Sequence, residues 1–261
     1  MILVVVVLLL LLFWVSYFLM PPLRGLPILM YHKISEDRND QLTISVDRLS
    51  EQFACIKRLG YQPISFADLR EFTANGQPLP EKPVLLTFDD GYQSVYDLAY
   101  PLLKRFDFRA TVLLPTKYIG KCNEWDGGSD RIMGYETIRE MTDHLIEVGL
   151  HSHQHDSYRS YSAQQMDADI GECIRVLEQG RCSFAPVFAY PYGAMPADRQ
   201  GRKALRQALR KHGIEFALRI GSRVNLFPFR DTYELKRIGI NGTDSLRQFK
   251  TKLKKGRTRP F

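Results

Sequence analysis

Residues 84–91 read VLLTFDDG, an unbroken apolar run that ends in two adjacent carboxylates, Asp89 and Asp90, and a glycine. A short run of this kind, closed by an Asp-Gly turn, marks a buried strand rather than a helix. Six further runs share its character: PILMYH (27–32), ATVLLP (110–115), VGLHS (148–152), VFAYP (187–191), FALRI (216–220) and LKRIGI (235–240). Stretches of helical period lie between them. Leu49, Phe53, Ile56 and Leu59 share one face, and Met166, Ile170, Cys173, Ile174 and Leu177 follow a Ser162-x-x-Gln165 capping box. Ile138, Met141, Leu145 and Val148 mark a third face, and weaker helical patterns span 93–106, 199–212 and 243–254. Strands alternating with helices imply parallel pairing through crossovers, and seven such strands suggest an α/β barrel.

The 261 residues hold 44% apolar and 25% charged side chains, which excludes a disordered chain. Residues 1–20, MILVVVVLLLLLFWVSYFLM, carry no charge and as a helix would reach about 30 Å, the thickness of a bilayer's hydrocarbon core. The stretch reads as an uncleaved transmembrane anchor rather than a signal peptide, because it lacks a basic start and a small-residue cleavage site and runs into Pro21-Pro22. Single-pass attachment to a membrane, such as a bacterial inner membrane, follows. Arg24 and Lys33 after the helix lean weakly towards a cytoplasmic domain, so the side stays open. The expected division is an anchor over 1–20, one barrel over 21–245 and a basic tail over 246–261.

That tail, LRQFKTKLKKGRTRPF, has seven Lys and Arg and no acid, which accounts for the formal net charge of +7. It reads either as a solvated tail or as a contact for anionic lipid or a phosphorylated substrate. No aromatic-interleaved basic patch accompanies it, so no nucleic-acid partner is expected. Cys55, Cys122, Cys173 and Cys182 show no C-x-x-C spacing and read as unpaired thiols.

The chemistry gathers where predicted strands end: His32, the Asp89-Asp90 pair, His151 to His155, and Tyr190 to Tyr192. In a β/α barrel that end is the mouth where sites assemble. Neighbouring residues at a strand end point different ways, so one of the two carboxylates can ligate a metal while the other holds a water. The bland alternative is an Asp-Gly turn capping a helix. His151, His153 and His155 offer imidazoles at two- and four-residue intervals, and imidazole with carboxylate suits Zn2+ and related first-row ions. Pro191 and Gly193 would fix a turn that aims Tyr190 and Tyr192 at a sugar face, or that merely covers the barrel end.

In this order, TFDDG, HSHQH and the later AYPYG resemble the motifs of the polysaccharide deacetylase family, carbohydrate esterase family 4, from about Leu26 to Ile240. The resemblance implies a distorted (β/α)7 barrel and a hydrolase that removes acyl groups from amino sugars. It makes Asp89 the general base, and Asp90, His151 and His155 the ligands of one divalent ion, most simply Zn2+. Ser152 would support them and His153 would point elsewhere. Tyr190, Pro191, Tyr192 and His32 are the candidate substrate contacts, His32 also as an acid, with an N-acetylated carbohydrate as partner.

Two features depart from the family pattern. The arginine expected before x-Pro-aromatic is Ala189, as in the branch resembling poly-N-acetylglucosamine deacetylases, which leaves the base without its usual orienting group. The late Leu-x-His that supplies an acid is also absent. Arg237 stands near that place; it is too weak an acid to replace the histidine but is able to bind a substrate charge. Tyr135 stands where a groove-lining tryptophan often lies, as a stacking ring or as core. Besides a surface polysaccharide, a lipid-linked sugar and a non-catalytic carbohydrate-binding relic are the rival readings.

Overall fold

Hydrogen bonds close seven parallel strands into a ring in the computed structural model, which describes residues 25–142 and 145–257. The strands are β1 (Ile28–Tyr31), β2 (Pro83–Phe88), β3 (Ala110–Leu114), β4 (Ile146–Leu150), β5 (Val187–Ala189), β6 (Phe216–Ile220) and β7 (Leu235–Gly239). Each pairs with the next, and β1 pairs with both β2 and β7, so the ring has no first or last strand; the two residues Gln62–Pro63 add a short parallel edge to the start of β2. The seams are uneven. β3 and β4 are in register from Ala110↔Ile146 to Leu114↔Leu150, whereas β4 meets β5 at Leu150↔Phe188. The expected (β/α)7 barrel is thus present in its distorted form. The anchor expected over 1–20 lies outside the described residues, among which no helix is long and apolar enough to cross a membrane.

Strand alternation sorts the side chains into two cores. Ile28, Leu85, Leu113, Val187, Phe216, Leu218 and Leu235 fill the ring, while Leu29, Leu86, Val112, Val148, Phe188 and Ile238 face the surrounding helices. Those helices are α1 (Val46–Arg58), α2 (Phe66–Asn75), α3 (Tyr100–Phe106), α4 (Tyr135–Met141), α5 (Ala163–Gln179), α6 (Arg199–Lys211) and α7 (Leu246–Lys255). The Ser162–Gln165 capping box starts α5 with both of its hydrogen bonds formed. All four cysteines are free.

Helix α2 has no counterpart among the sequence expectations, although Ser65-x-x-Asp68 forms a complete capping box at its start. It plugs the barrel floor. Phe66 and Leu69 join the inner core, and the inward-facing Glu147 of β4 accepts the Phe66 and Ala67 N–H groups at 2.7 and 3.0 Å. With one end plugged, the C-terminal end of the strands is the open one.

Two expectations need correction. The third helical face does not run to Val148. Helix α4 stops at Met141, and Val148 belongs to β4, where its side chain meets the helical layer as an outward strand residue would. The chain also does not leave the barrel at 245. Residues 246–255 are helical, and Phe249 and Leu253 are fully buried, so the apolar stripe of α7 packs while its charges face out.

The TFDDG turn is tight. Gly91 has φ +66°, and a Cβ there would stand 2.3 Å from Leu114 Cδ2. We expect Gly91→Ala to cost about 1–3 kcal/mol through strain and overpacking, read as a lowered denaturation midpoint in urea. An unchanged midpoint would show that the turn accepts a side chain.

Candidate active site

Strand parity carries the first residues of the site inward. On β2 the inward positions are Leu85 and Thr87, so Asp89 follows at the mouth. On β4, Glu147 and Gly149 lead to His151, and on β1, Ile28 and Met30 lead to His32. Beyond the strands, turns finish the arrangement. Asp90, Ser152, His155 and Tyr192 all take positive φ, between 57° and 70°, which is uncommon for residues with a side chain. The Ser152 hydroxyl accepts the His155 N–H at 2.8 Å and holds the histidine turn.

Asp90, His151 and His155 each offer one ligand atom, and these atoms lie within 4.8 Å of one another in a buried cluster. Asp90 Oδ1 has no hydrogen-bond donor although it is buried. His155 Nε2 lies 3.1 Å from it and His151 Nε2 3.5 Å. His151 Nδ1 lies 2.8 Å from the Ala189 carbonyl, which only accepts, so Nδ1 carries the proton. In the neutral ring, Nε2 therefore presents a bare lone pair to a carboxylate oxygen. Burial pushes the His151 pKa down to about 4, which keeps the ring neutral at ordinary pH. For His155, Nδ1 sits 3.3 Å from the Tyr192 hydroxyl, whose oxygen can accept a hydrogen bond from Nδ1–H and leave Nε2 equally bare. Lone pairs converging on a buried point fit a divalent cation.

Asp89 is held differently. Burial is the largest influence and would raise its pKa, but the Arg237 guanidinium, joined by the His151 and His32 rings, more than offsets it and holds the carboxyl below the usual range. Arg237 Nη1 donates to Oδ1 in a short contact and Nη2 donates to Oδ2 at 2.8 Å, a bidentate grip in which both partners are buried. The sequence reading that Arg237 binds a substrate charge is therefore corrected: two of its nitrogens are committed to Asp89. It supplies the clamp that Ala189 cannot. Burial would likewise raise the Asp90 carboxyl, and the positive charge that the surrounding rings carry in acid, that of His155 first, outweighs it.

A cleft of about 460 Å³ opens over these groups. His32 lines it with Nε2 3.9 Å from Asp89 Oδ2. Tyr192, 61% exposed, stands at its rim, and its ring meets that of His155 edge-on at 5.1 Å. Tyr190 and Pro191 do not reach the cleft. Tyr190 is fully buried, with its hydroxyl donating to the Tyr233 carbonyl at 3.0 Å, because the strand's alternation turns it towards Phe188 and Tyr158. Pro191 is buried beside it and shapes the turn. His153 points away, with Nδ1 2.9 Å from Thr116 Oγ1.

Some residues of the site escaped the sequence reading. Trp125 packs on the His155 ring at 4.4 Å and lines the cleft, whereas Tyr135 packs against Gly180. Asp169 of α5 is buried and accepts from His153 N at 2.9 Å, Gln154 N at 3.1 Å and the Tyr158 hydroxyl at 2.7 Å, which pins the histidine loop. A carboxylate within the Met166–Ile170–Cys173 stripe was the available signal.

Known proteins resemble this chain in sequence and in fold. The Escherichia coli K12 poly-beta-1,6-N-acetyl-D-glucosamine N-deacetylase is 45% identical over 91 residues, covering 34% of this chain and 14% of that protein. The Bacillus subtilis putative polysaccharide deacetylase YxkH is 27% identical over 168 residues, covering 64% and 57%. The chain thus spans less than two thirds of either relative. Among solved structures, IcaB from Ammonifex degensii superposes with a TM-score of 0.73 at 21% identity, covering 89% of this chain and 97% of that one. The Streptococcus pyogenes deacetylase PplD in complex with acetate gives 0.72 at 21%, covering 91% and 100%. These two likenesses establish a shared fold. The profile of the polysaccharide deacetylase family matches residues 76–217, more than half of the 261 residues, and the chain belongs to that family.

Proposed function

We propose that this chain is a metal-dependent hydrolase that removes N-acetyl groups from the amino sugars of a poly-N-acetylglucosamine-like polymer. The observation that carries the reading is the buried Asp90 oxygen faced by two imidazole nitrogens, with the separately clamped Asp89 beside it. The substrate class is supported by the names of relatives in Escherichia coli and Staphylococcus epidermidis, both poly-beta-1,6-N-acetyl-D-glucosamine N-deacetylases.

Amide hydrolysis needs an activated water, a place for the oxyanion and a proton for the leaving amine. A divalent cation held by Asp90, His151 and His155 would polarise the acyl carbonyl and make water more acidic. Asp89, kept ionised by Arg237, takes the proton from the attacking water. The backbone N–H of Tyr192 faces the developing oxyanion, and its exposed ring stacks on the sugar. His32, across the mouth from Asp89, donates the proton that lets the amine leave. Attachment to a membrane through residues 1–20, followed by one catalytic barrel, completes the proposed organisation.

Asp90→Ala and His155→Ala should each lose bound metal, read by elemental analysis, together with acetate release from N-acetylglucosamine oligomers. Asp89→Asn should keep its metal while turnover falls by about two to four orders of magnitude. An Asp90→Ala protein that retains metal and activity, or acetate release indifferent to a chelator, would sink the assignment.

Arg237→Met removes the positive charge that holds Asp89 ionised, so the Asp89 pKa rises and the acid-side inflection of the kcat/KM profile moves to higher pH. Metal content should stay unchanged, and Arg237→Lys should recover part of the shift. A profile that does not move would mean that the guanidinium only fills space.

A further inference from the structure

Gly25, the first described residue after the uncharged 1–20 segment, pairs with Leu226 in a short antiparallel ladder. Gly256, at the end of α7, lies so close to the same segment that a Cβ would stand 2.4 Å from Arg223 Cα. Residues 223 to 226 therefore link Gly25 to Gly256, and their three Cα steps span at most about 11 Å. Both ends sit at the plugged floor of the barrel, away from the mouth.

What surrounds this junction is cationic. Arg247, Lys250 and Lys254 follow each other at helical spacing on the outer side of α7, with Lys255 beside them and the exposed Arg223 next to its end. α7 carries no acid. Lys252, on the inner side, is consumed by the Asp244 carboxylate at 2.6 Å and the Gly239 carbonyl at 2.8 Å. Leu226 is 51% exposed at the same junction.

We propose that the outer face of α7, with Arg223 and Leu226, rests on the anionic headgroup surface of the membrane that residues 1–20 enter. This inference rests on the anchor reading above. If residues 1–20 span the bilayer, the few residues to Gly25 reach at most about 18 Å, which keeps the floor of the barrel near the headgroups. Basic side chains so placed are attracted to anionic lipid over about one screening length. Helix α7 runs about 15 Å from the mouth to the floor, so laying it flat turns the cleft sideways, along the membrane plane, with neither the mouth pressed into lipid nor the anchor strained. A single-stranded nucleic acid would stack its bases on rings among the charges, and this face has none.

The test uses the full chain in vesicles of phosphatidylcholine alone or with about one third phosphatidylglycerol, carrying an energy-acceptor dye on the lipid headgroups. A donor dye sits at Thr251→Cys, in the middle of the basic stripe. Energy transfer should be about threefold higher with the anionic lipid and fall back in about 0.5 M salt, where the screening length is near 4 Å. It should also fall back in the Arg247→Glu/Lys250→Glu/Lys254→Glu variant, whose acetate release from soluble oligomers should match the parent. Equal transfer from both lipids, or no response to charge reversal, would overturn the inference while leaving the anchor intact. Loss of transfer on adding an oligonucleotide would assign the face to nucleic acid. If the chain fails to sediment with neutral vesicles at all, the anchor reading fails, and this inference with it.

Discussion

A guanidinium and a carboxylate, both removed from water, face each other inside the barrel, and the geometry of the mouth follows from that pair. A lone carboxylate at the Asp89 position would lose several kcal/mol of hydration and would sooner protonate than remain ionised. Arg237 opposes that preference with two aligned hydrogen bonds, and with the His151 and His32 rings it holds the carboxyl ionised. The pair also fixes the register around it. Arg237 reaches Asp89 from the opposite side of β1, and its Nη1 lies 3.4 Å from Thr87 Oγ1, one inward position below. A one-residue slip of β7 would turn the guanidinium into the helical layer and leave the carboxylate unpaired, so the closing seam of the barrel is tied to the chemistry at its mouth.

Strain is concentrated in the same place. Seven non-glycine residues take positive φ among the described residues, and four of them are Asp90, Ser152, His155 and Tyr192. Each costs of order 1 kcal/mol or more and persists only where its surroundings over-determine it. The surroundings do so here. Asp169 ties down His153 and Gln154, Ser152 holds His155, and Trp125 stacks on the His155 ring. The candidate ligand atoms are thereby brought together by backbone turns whose cost the rest of the barrel carries.

The strands, and the carboxylates and histidines that end them, were legible in the sequence because burial and alternation act on consecutive residues. The runs at 84–89 and 235–240 match β2 and β7 to within a residue or two. What could not be read there depends on contacts between distant segments. That Tyr190 is core and Tyr192 is rim turns on a single step of alternation followed by a left-handed turn. That α4 ends at Met141 turns on whether Val148 packs as helix or strand, and an apolar residue satisfies both patterns. Asp169 and Trp125 lie far from the motifs in sequence and enter the site only through the packing of α5 and of the loop after β3.

Ring closure also bears on the missing family features. In an open sheet the first and last strands are far apart, and a residue lost from one could not be replaced by the other. Here β1 lies between β2 and β7, so a side chain at the top of β1 is one strand from either. His32 stands there, 3.9 Å from Asp89. The position near which a late histidine would be expected holds Arg237, which has taken over the clamp that Ala189 vacates. The proposed acid then has to come from a neighbouring strand, and β1 offers an imidazole facing the same cleft. In the proposed mechanism orientation and proton donation come from other strands than the family pattern uses, and a closed barrel permits this because its mouth responds to where a group stands, not to which strand carries it.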